Sequence, residues 1–408
     1  MLLRIALAVA FAAPLAACPD GPDAAETGAP AETASGRAAA PAPTDSTESD
    51  GGAVALPDDV VRRLVAEDPL WAEALRIHYD AVVLDGHVDT PSLMLDDGYA
   101  FGERHRPEAG RAHLDLPRMG EGGLDGAFFS IFVSRTYGEG PAATDRALAM
   151  LEELGRQTNA LDGAEIARTA ADVRRIARSG RRAVLLGLEG GHALQADRDV
   201  LRHLWANGVR YVTLTHANTN AWADASIDVA RHNGLNETGR ALVREMNRLG
   251  VLADLSHVSD STFYDALAVS EAPVILSHSS ARALYDHVRN VSDDMLRALA
   301  RNGGVVMINF YPAYVTGGAA SLDDVLDHIE HAARVAGPEH VGLGSDFDGV
   351  PSLPDGLGDV TRLPWVTHGL LERGWSEADV RRVLGGNVLR VMEEAERTAA
   401  RLGGPAPR

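Results

Sequence analysis

The stretch VLADLSHVSDSTFYDALAVSEAPVILSHS, Val251 to Ser279, holds two short apolar runs, Val251–Leu255 and Val274–Ser277, each leading into a histidine, His257 and His278. Between them Ser261–Val269 has the apolar spacing of a helix. A strand, a helix and a second apolar strand within roughly thirty residues form the unit from which parallel sheets are built. The strands are continuously apolar rather than alternating, so they are expected to be covered on both faces.

The unit repeats in both directions. Further apolar runs occur at Ala81–Leu84, Gly126–Val133, Ala183–Leu188, Val209–Thr215, Gly304–Phe310 and Val341–Gly344. Helical spacing separates most of them, at Ala142–Leu154, Ala170–Arg178, Glu237–Leu249, Asp293–Arg301 and Leu322–Val335. Eight candidate strands alternating with helices predict an α/β chain folded as a closed (β/α)₈ barrel of the TIM type over residues 56–398. The competing doubly wound sheet would carry Gly-x-Gly-x-x-Gly after its first strand, and that fingerprint is absent here. Asp58 to Tyr79 is expected as a lead-in helix, Asp96–Pro117 as a long polar loop, and Ser376–Leu384 and Asn387–Thr398 as closing helices. Residues 399–408 are expected to fray.

Composition narrows the class. The 408 residues are 45% hydrophobic with a net charge of −20, which suits a globular chain and excludes a nucleic-acid partner. All 38 basic side chains are arginine, with no lysine. Cys18 is the only cysteine, so an intrachain disulfide is impossible. Arg4 precedes the apolar run Ile5–Leu15, and Leu15-Ala16-Ala17-Cys18 resembles a bacterial lipobox. The expectation is a signal peptide over 1–17, lipidation at Cys18, and an Ala/Pro/Ser/Thr-rich tether to residue 55. Such a chain would be exported and anchored by lipid on the periplasmic or cell-surface side of a bacterial membrane; the apolar run is too short to span one.

Polar residues gather where the strands end. The sequence reads Asp85-Gly86-His87-Val88-Asp89, Leu188-Glu189-Gly190-Gly191-His192, Leu214-Thr215-His216, Asp254-Leu255-Ser256-His257, Leu276-Ser277-His278 and Gly344-Ser345-Asp346-Phe347-Asp348. In a barrel these C-terminal ends form one rim, where the active sites of this fold lie. His87 and Asp89 are two apart, so a strand points both to one side. Three imidazoles (His87, His257, His278) with Asp89 and Glu189 make a natural zinc donor set. A carboxylate such as Glu189 can bridge two ions about 3.5–4 Å apart, holding one water as hydroxide. Taken singly, each residue has a plainer reading: a histidine near a strand end is more often buried and hydrogen-bonded, Asp85 caps a turn, Glu189 pairs an arginine, Asp346 and Asp348 shape a loop. Convergence of six strand ends on one rim favours the metal site. His328 and His331, on a polar helix, and His78, His203 and His368 are expected at the solvated surface.

These motifs, with Tyr211-Val212-Thr213-Leu214-Thr215-His216, Trp222-Ala223-Asp224, Ser277-His278-Ser279-Ser280-Ala281, Arg289-Asn290-Val291 and Ile308-Asn309-Phe310-Tyr311, resemble the membrane (renal) dipeptidases over nearly all of Leu56 to Glu396. The resemblance implies a (β/α)₈ barrel with two zinc ions. It implies His87 and Asp89 as ligands of the first, His257 and His278 of the second, and Glu189 as the bridge. It further implies His216 as the histidine that contacts substrate and polarises its carbonyl, Arg289 as the arginine binding substrate, Asp346 as the proton shuttle, and Tyr311 at the substrate pocket. Related barrel hydrolases often bridge their metals with a carboxylated lysine; without lysine, a carboxylate has to serve. The substrates implied are dipeptides, including those with a C-terminal D-residue. The lack of the disulfide cysteines of the animal members argues against a disulfide-linked dimer and leaves a homodimer open. Two other classes remain open on sequence: another metal-dependent amidohydrolase on this barrel (lactonase, deacetylase or β-lactam hydrolase), and a lipoprotein that binds a ligand without catalysis.

Overall fold

A computed structural model describes residues 55–107 and 111–406, so the expected leader, Cys18 and all but the last residue of the expected tether lie outside the described residues. The strands are β1 (Leu84–Val88), β2 (Gly126–Phe132), β3 (Ala164–Ile166), β4 (Arg182–Glu189), β5 (Val209–Thr213), β6 (Leu252–Asp254), β7 (Ile275–Leu276), β8 (Val305–Ile308) and β9 (Val341–Leu343). They pair in the order β2-β1-β9-β8-β7-β6-β5-β4-β3, and β2 also pairs with β4 in parallel register from Gly126↔Ala183 to Phe132↔Glu189. That last pairing closes eight parallel strands into a barrel. β3 is an appendage: it pairs the first residues of β4, and β5 takes over the same edge from Leu186↔Val209. The architecture is the expected (β/α)₈ barrel.

Glycine lets large side chains fill the bore. A Cβ at Gly187 would lie 2.0 Å from the Tyr211 ring, and one at Gly344 2.0 Å from Ser277 O. Tyr211 packs in one cluster with Leu84, Phe128, Leu185 and Met307. Val388, Val391 and Met392 of the last helix, Asn387–Arg401, join that cluster, so this helix is tied to the barrel interior.

Several boundaries differ from expectation. The first strand begins at Leu84 rather than Ala81, because Ala81 still donates to Ile77 O at the end of the preceding helix. His87 is therefore inside the strand. β3 was not foreseen: Ala-Glu-Ile has no apolar run. The lead-in helix is two, Asp58–Glu67 and Leu70–Asp80, broken where Pro69 has no N–H to give and Asp68 accepts from Leu70 N. The polar loop is bounded by two helices, Thr90–Asp97 and Leu116–Glu121, so its ends at Asp96 and Pro117 are helical. The last helix continues to Arg401, and Gly404 N donates back to Ala399 O, so the fraying expected from 399 does not begin there.

Most of the histidines expected in solvent are not there. His328 is buried between Ala281 N and Val315 O, and His331 bonds Asp293. His368 stacks on Trp71 at 4.1 Å; His203 alone of the five is exposed. Polar helix faces misled because they pack against neighbouring helices and loops that supply partners. His78 is fully buried between Thr367 Oγ1 and Gly122 O, each 2.8 Å away. Burial pushes its pKa down to about 4 against the pull of the Gly122 carbonyl. The unfolded chain, with an ordinary value of 6.5, then binds the proton first as pH falls. Stability owed to neutral His78 is complete above pH 6.5 and is lost as pH drops toward 4, by up to about 3 kcal/mol. Urea unfolding at pH 7 and 4.5 should show a smaller acid loss in His78→Gln than in the parent; equal losses would remove His78 as a cause.

Candidate metal centre

Each site histidine or carboxylate leaves a strand at the same end. Glu189 is the last residue of β4; His216, His257, His278 and Asp346 lie within a few residues beyond β5, β6, β7 and β9. The backbone bends sharply there: His257 and Asp346 both have φ of 66°. Left-handed backbone at two non-glycine residues is uncommon and is often found where a side chain must be aimed. Asp89 occupies the N-cap of helix Thr90–Asp97 yet accepts no capping hydrogen bond. An N-cap aspartate ordinarily serves the helix's free N–H groups. Here its Oδ2 turns instead to His87 Nε2, at 3.2 Å.

Glu189 is the centre of the arrangement. Its Oε2 lies 3.2 Å from His87 Nε2 and accepts from Ser130 Oγ at 3.0 Å. Its Oε1 lies 3.1 Å from His257 Nε2, 3.5 Å from His278 Nε2 and 4.0 Å from His216 Nε2. One carboxylate thus faces two groups of imidazoles. The ligand atoms form three overlapping sets: His87, Glu189 and His278; Glu189, His216 and His257; His87, Asp89 and Asp346. All five residues expected as ligands come together, with His216 and Asp346 among them. His87 and Asp89 share one of these sets; His278 also groups with His87, and His216 with His257.

The surrounding residues fix which nitrogens face the centre. His87 Nδ1 bonds Tyr211 Oη at 2.8 Å. Ser277 Oγ donates to Asp254 Oδ2 and therefore accepts from His278 Nδ1, 2.8 Å away. Both contacts occupy Nδ1 and leave Nε2 for the centre, an assignment that follows from the network. Asp85 Oδ1 accepts from His87 N and Ser345 N, tying β1 to the loop after β9 as a turn cap does. A Cβ at Gly349 would meet Asp89 Oδ2 at 2.1 Å and Asp346 Oδ1 at 2.6 Å, so only glycine leaves room for both carboxylates. Asn309 Nδ2 donates to Asp346 Oδ2 at 2.9 Å.

Burial lowers the pKa of His216, and of His257 and His278 well below the ordinary value, helped by positive neighbours including Arg289. They stand as neutral imidazoles, the form that binds metal. Burial alone would raise Glu189, but His87 and the close approach of the His257 and His87 Nε2 atoms hold it well below the carboxylate range. Burial pushes Asp346 up to about 7. His257 and His278 meet Nε2 to Nε2 at 2.8 Å, and His87 Nε2 and Asp89 Oδ1 are buried without a hydrogen-bond partner. Lone pairs converging at this density are what a divalent cation stabilises, so the donor set fits a metal of the zinc type.

Arg289 is buried beside this cluster. Its Nη2 donates to His278 O at 3.2 Å, its Nε has no partner, and its guanidinium stands 5.3 Å from the Tyr314 ring. No carboxylate of the described residues pairs with it. Tyr311 is half-buried, edge-on to Tyr314 at 4.9 Å. His216 is the most open of the ring, edge-on to Phe132 at 4.8 Å. Sequence reasoning missed Tyr211, Ser277, Asp254, Asn309 and Gly349 as supporting residues. Their proximity in sequence to the histidines was the available signal.

The chain matches the family model described as membrane dipeptidase (peptidase family M19) over residues 71–405. It is 41% identical over 348 residues to dipeptidase tcpJ of Claviceps purpurea, covering 83% of this chain and 78% of that protein. Among solved structures it is similar to the probable dipeptidase PvdM from Pseudomonas aeruginosa, with TM-score 0.75, 25% identity, and 81% and 99% of the two chains covered. It is also similar to a metallopeptidase from Rhodobacter sphaeroides liganded with a phosphinate mimic of the dipeptide L-Ala-D-Ala, with TM-score 0.70, 30% identity, and 77% and 99% covered.

Proposed function

The chain belongs to the membrane dipeptidase family, a family of metallopeptidases, and on that premise we propose that it hydrolyses dipeptides, those with a C-terminal D-residue included, using two zinc ions. The observation that carries the reading is the sharing of Glu189, one oxygen toward His87 and the other toward His257 and His278. His87 and Asp89 would hold one ion, His257 and His278 the other, and Glu189 both. Two zinc ions so held supply, when bound, a water acidified to hydroxide and positive charge for the developing oxyanion.

The chain's own residues do the rest. Arg289, a buried guanidinium without a carboxylate, binds the free C-terminal carboxylate through its N–H fork. That sets the scissile bond close to a free C-terminus, which favours dipeptides over long chains. His216, facing Glu189 Oε1, donates to the carbonyl oxygen as charge develops. Asp346, held by Asn309, takes the proton of the attacking water and returns it to the leaving amine. Tyr311 borders the substrate beside Tyr314. Tolerance of a D-residue is supported by the L-Ala-D-Ala mimic in the Rhodobacter relative. Membrane attachment is supported by Leu15-Ala16-Ala17-Cys18; no helix of the described residues is long and apolar enough to cross a membrane.

The test is one panel on the full chain: Xaa-L-Ala and Xaa-D-Ala dipeptides, their C-terminal amides, lactones and N-acetyl amino acids. Both dipeptide series should be cleaved, chelator should stop cleavage, and zinc should restore it. Amides should fall at least ~10-fold in kcat/KM, the loss of one charge-assisted hydrogen-bonded pair. In cell fractions, Cys18→Ser should move the activity from membrane to soluble. Faster turnover of lactones or acetylated amino acids than of any dipeptide would replace this reading with another amidohydrolase.

A further inference from the structure

β2 climbs the wall of the bore beneath the metal rim. Its side chains alternate, and Phe128, Ser130 and Phe132 face inward. Phe128 packs on Tyr211, with ring centroids 4.9 Å apart, and Ser130 Oγ donates to Glu189 Oε2. Phe132 is the last residue of the strand. It stands in register with Glu189, which puts both side chains on one face. Its ring is edge-on to His216, 4.8 Å away. Phe128 and Ser130 are fully buried, whereas Phe132 is half-buried. An inward-facing side chain at the top of a strand can be exposed only toward the mouth of the barrel. Phe132 therefore offers an open apolar surface beside His216, and none of the metal chemistry uses it.

Strand order fixes where that surface lies relative to Arg289. From β2 the barrel reaches β7 in the same number of steps either way, through β1, β9 and β8 or through β4, β5 and β6. Arg289 follows β7, and its Nη2 donates to His278 O just beyond that strand. Phe132 and Arg289 thus stand on opposite sides of the mouth. His278 lies on the Arg289 side, His216 lies on the Phe132 side, and both face Glu189 Oε1. A dipeptide with its carboxylate on Arg289 and its scissile carbonyl at His216 has to run its N-terminal residue past the centre, toward β2. The side chain of that residue then meets the Phe132 ring. A charged side chain pressed there would give up water for an apolar face, and glycine would leave the ring uncovered.

We propose that Phe132 sets the preference for the substrate's N-terminal side chain, selecting aliphatic and aromatic residues over glycine and over acidic ones; this rests on the dipeptidase reading above. The plainer reading is that Phe132 only steadies the His216 ring. Steady-state kinetics on the full zinc-loaded chain separates the two, with Gly-D-Ala, Leu-D-Ala, Phe-D-Ala and Glu-D-Ala as substrates. The parent should favour Leu-D-Ala and Phe-D-Ala over the other two by about ten-fold or more in kcat/KM, the scale on which an apolar pocket discriminates. Phe132→Ala should bring the Leu-D-Ala and Gly-D-Ala values together, chiefly by raising KM for Leu-D-Ala. Phe132→Leu, which keeps an apolar wall, should retain most of the preference. Phe132→Trp, which narrows the space, should set Phe-D-Ala back more than Gly-D-Ala; this keeps the test open if Phe132→Ala does not fold. An equal fall in kcat for every substrate in these variants, with the preference intact, assigns Phe132 to steadying His216 and overturns the proposal. A parent that cleaves Gly-D-Ala as well as Leu-D-Ala overturns it too, and leaves the dipeptidase reading standing. A parent that cleaves none of the four ends that reading and this proposal together.

Discussion

Glu189→Gln is expected to leave a folded barrel that has lost on the order of 10³-fold or more in kcat, equivalent to about 4 kcal/mol of transition-state stabilisation. The substitution is nearly isosteric and keeps an acceptor for Ser130 Oγ. What it removes is the second oxygen and the negative charge. An amide presents one oxygen and one NH₂, and the NH₂ would face either His87 Nε2 or the His257–His278 pair, each about 3 Å from the present carboxylate. Only one side can keep an acceptor. Zinc content should fall from two per chain toward one, and chelator should remove the remainder more readily. If Glu189 were only a structural counter-charge for His87, the variant would lose stability and keep its turnover. Elemental analysis beside kcat distinguishes these, and two zinc ions with undiminished turnover in Glu189→Gln would end the assignment of the bridge.

The barrel was readable because its strands are buried on both faces and its helices on one. Eight apolar runs with helical spacing between them leave few alternatives once the nucleotide fingerprint is absent. What escaped is what periodicity does not encode. β3 is three residues long and pairs only the start of β4. The first strand lies later than the apolar run Ala81–Leu84 because Asp85 and His87, which look like the end of such a run, are buried within the strand. The candidate metal ligands were readable for a related reason: a polar residue at the end of an apolar run has to be satisfied by something on the rim. Which ligand sits with which is a three-dimensional matter, and His278 beside His87 has no trace in sequence spacing. Nor does the role of Gly349, which is set by the two carboxylates a Cβ would strike, or that of Asp89, whose N-cap position argues for a helix cap until its side chain is seen turned away. The buried His78, His328 and His331 show the limit of composition: a polar face says that partners are needed, not whether water or protein provides them.

Asp346→Asn is expected to lower kcat by about 10² to 10⁴, the usual contribution of a positioned general acid–base. Geometry is the reason to expect a catalytic rather than a structural loss. Asp346 sits on left-handed backbone with Oδ2 fixed by Asn309 Nδ2 and Oδ1 against Gly349, so its carboxyl is held at the rim in one orientation. Asparagine tolerates that backbone better than most residues, so the loop should persist. Asp346 also groups with His87 and Asp89, and a competing account makes it a metal ligand whose loss would deplete zinc. The two accounts part on a substrate series. A proton shuttle matters most when the leaving group is a poor one, so analogues whose leaving group departs without a proton should recover most of the lost rate in Asp346→Asn. A ligand matters equally for every substrate. Two zinc ions per chain with a defect that shrinks as the leaving group improves assigns Asp346 to proton transfer; a uniform defect accompanied by zinc loss assigns it to the metal site and leaves another group to protonate the amine.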